Sequence, residues 1–140
     1  NTIILDARSK ERYEGLNDPV DPIAGHVPGA ISHPLGTNLD RTAKFRSKED
    51  LKHNFNKIAN DMVDREIISM CGSGITACHN ILALEICGIR NVKLYVGSWS
   101  EWITDSNRTI VTIKSNQFSR SYSLYNSLLY QGNHPLLHLL

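Results

Sequence analysis

Residues 70–79 read MCGSGITACH. On one side lies EIISM (66–70), a short apolar run with paired β-branched residues, which reads as a buried strand. On the other lies TACHNILALEIC (76–87), which reads as a helix apolar on most sides and therefore central. Gly88 follows where a helix C-cap is expected. Strand, small-residue turn and helix in that order form half of a βαβ unit. The stretch between them is either a tight structural turn or a device that presents Cys71 to a ligand.

Moving outward, short β-like runs keep alternating with helical ones. TIIL (2–5) reads as a buried strand, SKERYE (9–14) as a short helix, and LNDPVDPIAGHVPG (16–29) as a loop by its Pro and Gly content. AIS (30–32) is a brief strand. SKEDLKHNFNKI (47–58) opens with Ser47 and Asp50 in a capping-box-like arrangement, and Leu51, Phe55 and Ile58 form one apolar stripe. VKLYV (92–96) is a strand, and SWSEWIT (98–104) a short amphipathic helix carrying Trp99, Trp102 and Ile103. This alternation predicts an α/β domain with a mainly parallel sheet. Residues 105–140 differ in character, Ser/Asn-rich and then Leu-rich; TIVTIK (109–114) reads as a strand and HPLLHLL (134–140) as a segment docking on another surface.

Composition narrows the classes. A chain of 140 residues is expected to form one domain with a real core. The net charge of +1, with no basic stripe or acidic run, gives no electrostatic case for a nucleic-acid partner. No apolar run reaches the roughly 20 residues a bilayer span needs, so no membrane partner is expected. The chain enters a strand at once with no leader pattern, and reads as cut from something longer. Three cysteines, Cys71, Cys78 and Cys87, lack a C-x-x-C pair, which argues against a zinc site or a disulfide framework and for a reducing compartment, cytoplasmic or mitochondrial.

The turn then acquires chemistry from its place. Ligands of parallel α/β sheets sit beyond the carboxyl ends of strands, beside helix N-termini, and Cys71 falls at such a spot. Backbone amides from Gly72 to Ile75 can curl inward as an anion-binding nest, and Thr76 would begin the helix, adding its hydroxyl and the helix dipole. Each of these favours negative charge on sulfur, the form in which a thiol is a nucleophile.

CGSGIT (71–76) resembles the six-residue active-site loop of the rhodanese superfamily, and its Gly-Ser pair is most similar to 3-mercaptopyruvate sulfurtransferases. ILDARSKERYEG (4–15), GHVPGAI (25–31) and LYVGSWSEW (94–102) resemble other blocks of the catalytic C-terminal domain of the tandem-domain members, in order and spacing. The resemblance implies a rhodanese-like fold over residues 1–104, a small parallel sheet with helices on both faces, followed by an extension of unknown role at 105–140. It also implies that Cys71 takes a sulfur from a small-molecule donor as a persulfide and passes it to cyanide or to a thiol acceptor such as thioredoxin or glutathione, with no metal or organic cofactor. The amides of Gly72, Ser73, Gly74, Ile75 and Thr76 would stabilise the bound sulfur; Ser73 would assist proton transfer, and Arg12 would hold the donor's carboxylate. The mercaptopyruvate members draw an acidic residue and a histidine from an N-terminal rhodanese-like domain, expected to be missing from this chain and a candidate partner for it.

Donors and rival activities follow from the same loop. Thiosulfate sulfurtransferases resemble one another in carrying cations at the two positions after the cysteine; here these are the neutral Gly72 and Ser73, which favours a monocarboxylate donor such as 3-mercaptopyruvate. Phosphatases of this fold end a longer loop in an arginine six residues after the cysteine, a position held here by Ala77. A thiosulfate enzyme and a non-catalytic rhodanese-like binding module stay open as alternatives. The module is favoured by the unfamiliar tail at 105–140 and by a departure in the site: the family's second arginine is absent from LNDPVDPIAG (16–25), which carries Asp18 and Asp21 instead, read as a solvated pair whose charge opposes an anionic donor. Asp6, Arg8 and His26 read as structural, Cys78 and Cys87 as core residues with Cys78 a secondary candidate for a resolving thiol, Trp99 and Trp102 as core or interdomain packing, and Ser98 and Trp99 as an alternative pocket rim. His134 and His138 have helix-ligand spacing, but Pro135 disturbs it and no third metal ligand is apparent.

Overall fold

The computed structural model describes residues 2–58 and 62–113. Four parallel strands form one sheet: β1 (Ile3–Asp6), β2 (Ile31–Ser32), β3 (Ile67–Met70) and β4 (Val92–Leu94), in the order β2-β1-β3-β4. Helices α1 (Lys10–Glu14), α2 (Lys48–Ile58), α3 (Ala77–Ile86) and α4 (Ser98–Trp102) connect or follow them. The register pairs Ile3 with Ile67, Asp6 with Met70, Leu5 with Ile31, and Ser69 with Leu94. The parallel α/β architecture expected from the sequence is present, within a residue or two at most element ends.

Alternation along the strands assigns the two faces. Ile3, Leu5 and Ile67 point to one side, where Leu51 and Phe55 of α2 and Ala83 and Leu84 of α3 close over them. Ile4 and Met70 point to the other, packing with Tyr13, Val27, Trp99 and Trp102. Helices therefore cover both faces, as the sequence implied. The second cover is thinner and leaves an apolar cleft of about 360 Å³ along Ile4, Ile68, Met70 and Trp102.

Local signals account for the helix ends. Ser47 Oγ accepts the amide of Asp50 at the start of α2. At the end of α3, Gly88 adopts φ 88°, its amide bonds to Glu85 O, and the Ile89 amide bonds to Leu84 O, which is a Schellman closure. Ser9 accepts the Arg12 amide at the start of α1, and Gly15 at φ 77° ends that helix after one turn. The expected strand at 109–114 is not formed in its described part: His26 and Val111 make one antiparallel bridge. This short pairing lays residues 110–112 against Gly15 and Gly25, where a side chain on either glycine would meet Thr112 or Ile110 below 3 Å. The docking segment at 134–140, with its two histidines, lies outside the described residues.

A buried polar seam ties β2 to α3. The His33 ring bonds through Nε2 to Asn38 Oδ1 at 2.9 Å, Asn38 Nδ2 donates to Asn80 Oδ1 at 2.7 Å, and Asn80 Nδ2 returns to His33 O at 3.0 Å. The ring also stacks on Phe55, 4.5 Å between centroids. Burial drives the His33 pKa below its ordinary value, although the Asn38 contact works the other way. The unfolded chain therefore takes up the proton first. This stability is present above the unfolded value of about 6.5 and is lost as pH falls toward the lower folded value. Urea unfolding between pH 7 and pH 5 is expected to show falling stability, with a smaller pH dependence in His33→Gln.

Candidate active site

The sheet order places a topological switch between β1 and β3, because the connections leaving them run to opposite sides. Three loops meet at the carboxyl ends there: one after β1 leading into α1, one after β3 leading into α3, and one after β4 leading into α4. Cys71 follows β3 directly. It is 2% exposed and packs with Ala7, Ala77 and Leu94.

The base of the Cys71 loop is pinned to the loop after β4. The Cys71 amide donates to Ser98 Oγ at 3.1 Å, and Ser98 Oγ donates to Tyr95 O at 2.8 Å. Cys71 O accepts the Trp99 amide, and Gly72 O accepts the Ser100 amide. Ser98 is held at φ 51°, a left-handed conformation that costs a non-glycine residue free energy and that these bonds stabilise. Trp99 is fully buried beneath, its indole N–H donating to Ile23 O at 2.8 Å, with the Arg8 guanidinium 4.3 Å from its ring.

Above this base the backbone is unspent. Among the described residues, the amides of Gly72, Ser73, Gly74, Ile75, Thr76 and Ala77 have no acceptor. Gly74 turns the chain at φ 85°, and a Cβ there would come within 2.7 Å of Val96 O. Thr76 stands at the N-cap position of α3, but its hydroxyl makes no cap bond. Unpaired amides running into a helix N-terminus suit an anion or a polarised sulfur. The side chains of Ser73 and Ile75 face outward, and Ile75 is 80% exposed.

Arg12 reaches the same loop from α1. A Cβ on Gly72 would lie 3.2 Å from Arg12 Nη2 and 3.5 Å from Nη1, so the guanidinium rests against the loop's first peptide. Asp18 and Asp21 are not a solvated pair, contrary to the expectation from the sequence. Arg12 Nε donates to Asp18 Oδ1 at 2.8 Å and Nη2 to Asp21 Oδ2 at 2.6 Å, and the two carboxylates are 1% and 8% exposed. Burial raises the Asp18 carboxyl, but the Asp21 and Val20 amides and Arg12 outweigh it and hold the group below the usual carboxylate range. Asp6 and Arg8 are the structural pair expected: Arg8 Nη2 bridges Asp6 Oδ2 and Gly25 O, both at 2.6 Å. His26 likewise stacks on Tyr13 at 3.8 Å and bonds to its carbonyl.

The comparisons with known proteins agree with this arrangement. The model of the family described as "Rhodanese-like domain" matches residues 1–105. The chain belongs to that family. This rhodanese-like domain is 43% identical over 109 residues to a probable 3-mercaptopyruvate sulfurtransferase of Pseudomonas aeruginosa, covering 78% of the chain and 38% of that protein. It is 36% identical over 101 residues to human 3-mercaptopyruvate sulfurtransferase, covering 71% of the chain and 34% of that protein. It is 34% identical over 99 residues to thiosulfate sulfurtransferase of Gallus gallus, again covering 71% and 34%. The crystal structure of Tum1 protein from Saccharomyces cerevisiae superposes with a TM-score of 0.70 at 31% identity, over 79% of the chain and 40% of that one. The chain thus spans little more than a third of the length of the relatives it matches.

Within the rhodanese-like domain, the structure brings Cys71, Arg12 and the loop residues 72–76 together. It does not place Cys78 in the core: that thiol is exposed on the first turn of α3, whereas Cys87 is buried. Ser98 and Ser100 brace the loop, and the sequence reading gave neither that role. The available signal was their position directly after β4, the strand beside β3. Among the described residues no helix is long and apolar enough to cross a membrane, and no group of three or more His, Cys, Asp or Glu is placed to hold a metal.

The close approach of Gly74 to Val96 O makes a sharp expectation. Gly74→Ala should lower stability by about 1–3 kcal/mol, as left-handed backbone strain does, measured by chemical denaturation. Gly88→Ala, also left-handed but with open space around it, should cost less.

Proposed function

We propose that this domain is a sulfurtransferase in which Cys71 carries a sulfane sulfur as a persulfide. The observation that supports it most is the run of unpaired amides from Gly72 to Ala77 beside a cysteine at the switch point of the sheet. Similarity to the 3-mercaptopyruvate and thiosulfate sulfurtransferases supports the reaction class.

The donor is 3-mercaptopyruvate. Gly72 and Ser73 offer no side-chain cation to a thiosulfate dianion, and Arg12 is the one guanidinium resting on the loop among the described residues. The Cys71 thiolate attacks the donor's sulfur. The carbon–sulfur bond of the donor breaks, and its electron pair passes to the carbon that becomes the methyl of pyruvate. That carbon takes up one proton, with Ser73 assisting the transfer. The new sulfur–sulfur bond leaves Cys71 as a persulfide stabilised by the loop amides. An acceptor thiolate or cyanide then attacks the outer sulfur and regenerates the Cys71 thiolate. Thioredoxin and glutathione have the required thiol chemistry, and a second rhodanese-like domain is a further candidate partner.

Pairing of Arg12 with two carboxylates favours the rival reading, a binding module without turnover. One measurement separates the two. Incubation of the full chain with 3-mercaptopyruvate is expected to add one sulfur atom by intact mass and to release pyruvate. Both should vanish in Cys71→Ser. Absence of any sulfur adduct on the unmodified chain would leave the binding module standing and the enzyme reading refuted.

A further inference from the structure

Arginine binds a carboxylate best through two parallel N–H bonds along one edge of its fork. On Arg12 the Nε–Nη2 edge is taken: Nε donates to Asp18 and Nη2 to Asp21. The two aspartates are held differently. Asp18 Oδ1 also accepts the amides of Val20 and Asp21 at 3.1 and 3.0 Å, and Asp18 Oδ2 lies 3.6 Å from Arg8 Nη1. Asp18 is thus fixed by its own turn and by a second guanidinium. Among the described residues, Asp21 has only side-chain partners for its carboxylate: Arg12 Nη2, and the hydroxyl of Ser100 at 3.0 Å from Oδ1. That hydroxyl is also 2.8 Å from Gly72 O, so Asp21 stands between the arginine and the base of the cysteine loop.

Charge points the same way. Asp6, Arg8, Arg12, Asp18 and Asp21 form one partly buried cluster of three carboxylates and two guanidinium groups. An anionic donor arriving at Arg12 therefore meets a net negative neighbourhood unless one carboxylate withdraws. Asp21 is the one free to do so, because its side chain can leave Nη2 while Ser100 retains the other oxygen.

We propose that Asp21 is an internal competitor for the donor carboxylate: it holds the Nη2 end of the Nε–Nη2 edge of Arg12 and must swing off Nη2 for a monocarboxylate to pair along that edge. The proposal rests on the sulfurtransferase reading for its biological meaning, but the contact is a binding equilibrium and can be measured without turnover. Asp21 is then a specificity-determining residue that penalises carboxylate donors relative to sulfur donors that lack a carboxylate. Removing its charge while keeping its shape should relieve the penalty.

Binding of pyruvate, a monocarboxylate of the donor's size without its thiol, is measured by calorimetry on the full chain at fixed ionic strength. Asp21→Asn is expected to tighten pyruvate binding by roughly tenfold, within the range of a charge-assisted hydrogen bond. Asp21→Glu should restore weak binding, and Arg12→Gln added to Asp21→Asn should erase the gain. With turnover, the preference for 3-mercaptopyruvate over the persulfide of 2-mercaptoethanol, taken as the ratio of their loading efficiencies on Cys71, should rise by a similar factor in Asp21→Asn. Unchanged or weaker pyruvate binding in Asp21→Asn, with the fold intact by circular dichroism, overturns the proposal. A chain that binds pyruvate as expected but gains no sulfur from either donor refutes the sulfurtransferase reading and leaves the competition at Arg12 supported.

Discussion

Cys71 is fixed by its own peptide groups. Its amide is spent on Ser98 Oγ and its carbonyl on the Trp99 amide, while the Gly72 carbonyl is spent on Ser100. These bonds clamp the end of β3 to the loop after β4, and the buried indole of Trp99 serves as the anvil. With its base held, the loop can leave its next six amides without acceptors among the described residues. In an ordinary turn such donors would find carbonyls or collapse toward a regular helix, since an unsatisfied amide costs free energy wherever water is excluded. Here Gly74 turns the chain away from that outcome, and contact with Val96 leaves no room for a side chain to relax it.

The charges around the loop form a second layer built on the same strand ends. Asp6 at the end of β1 holds Arg8; Arg8 lies over Trp99 and faces Asp18; Asp18 holds Arg12; and Arg12 rests on Gly72. The chain of contacts couples the strand that begins the domain to the turn carrying the cysteine. It also sets the electrostatic character of the mouth, which is less cationic than one arginine would suggest.

Much of this was legible in the sequence because it depends on local rules. Apolar runs gave the strands, Ser47 and Gly88 marked helix ends, and the strand–small turn–helix pattern put Cys71 at the edge where parallel sheets bind ligands. What escaped depends on where side chains meet in space. Asp18 and Asp21 lie in a Pro-rich loop that looks solvated on composition, and only the turn formed by Asp18 with the Val20 and Asp21 amides folds them onto Arg12. Cys78 was misplaced because α3 is apolar nearly all round, so its sequence does not define an outward face. Its buried side includes Asn80, retained for the bonds it makes to His33 and Asn38. Ser98 and Ser100 were hidden because their partners are main-chain atoms of a neighbouring loop.

In the proposed reaction the loop amides receive a sulfur borne by Cys71, and a crystal structure of the chain trapped as its persulfide would show whether they do. The outer sulfur is expected within hydrogen-bonding distance of several amides between Gly72 and Thr76, with the Cys71–Ser98 bond unbroken. An outer sulfur directed away from those amides, or a loop whose amides have turned to other acceptors, would contradict the proposal.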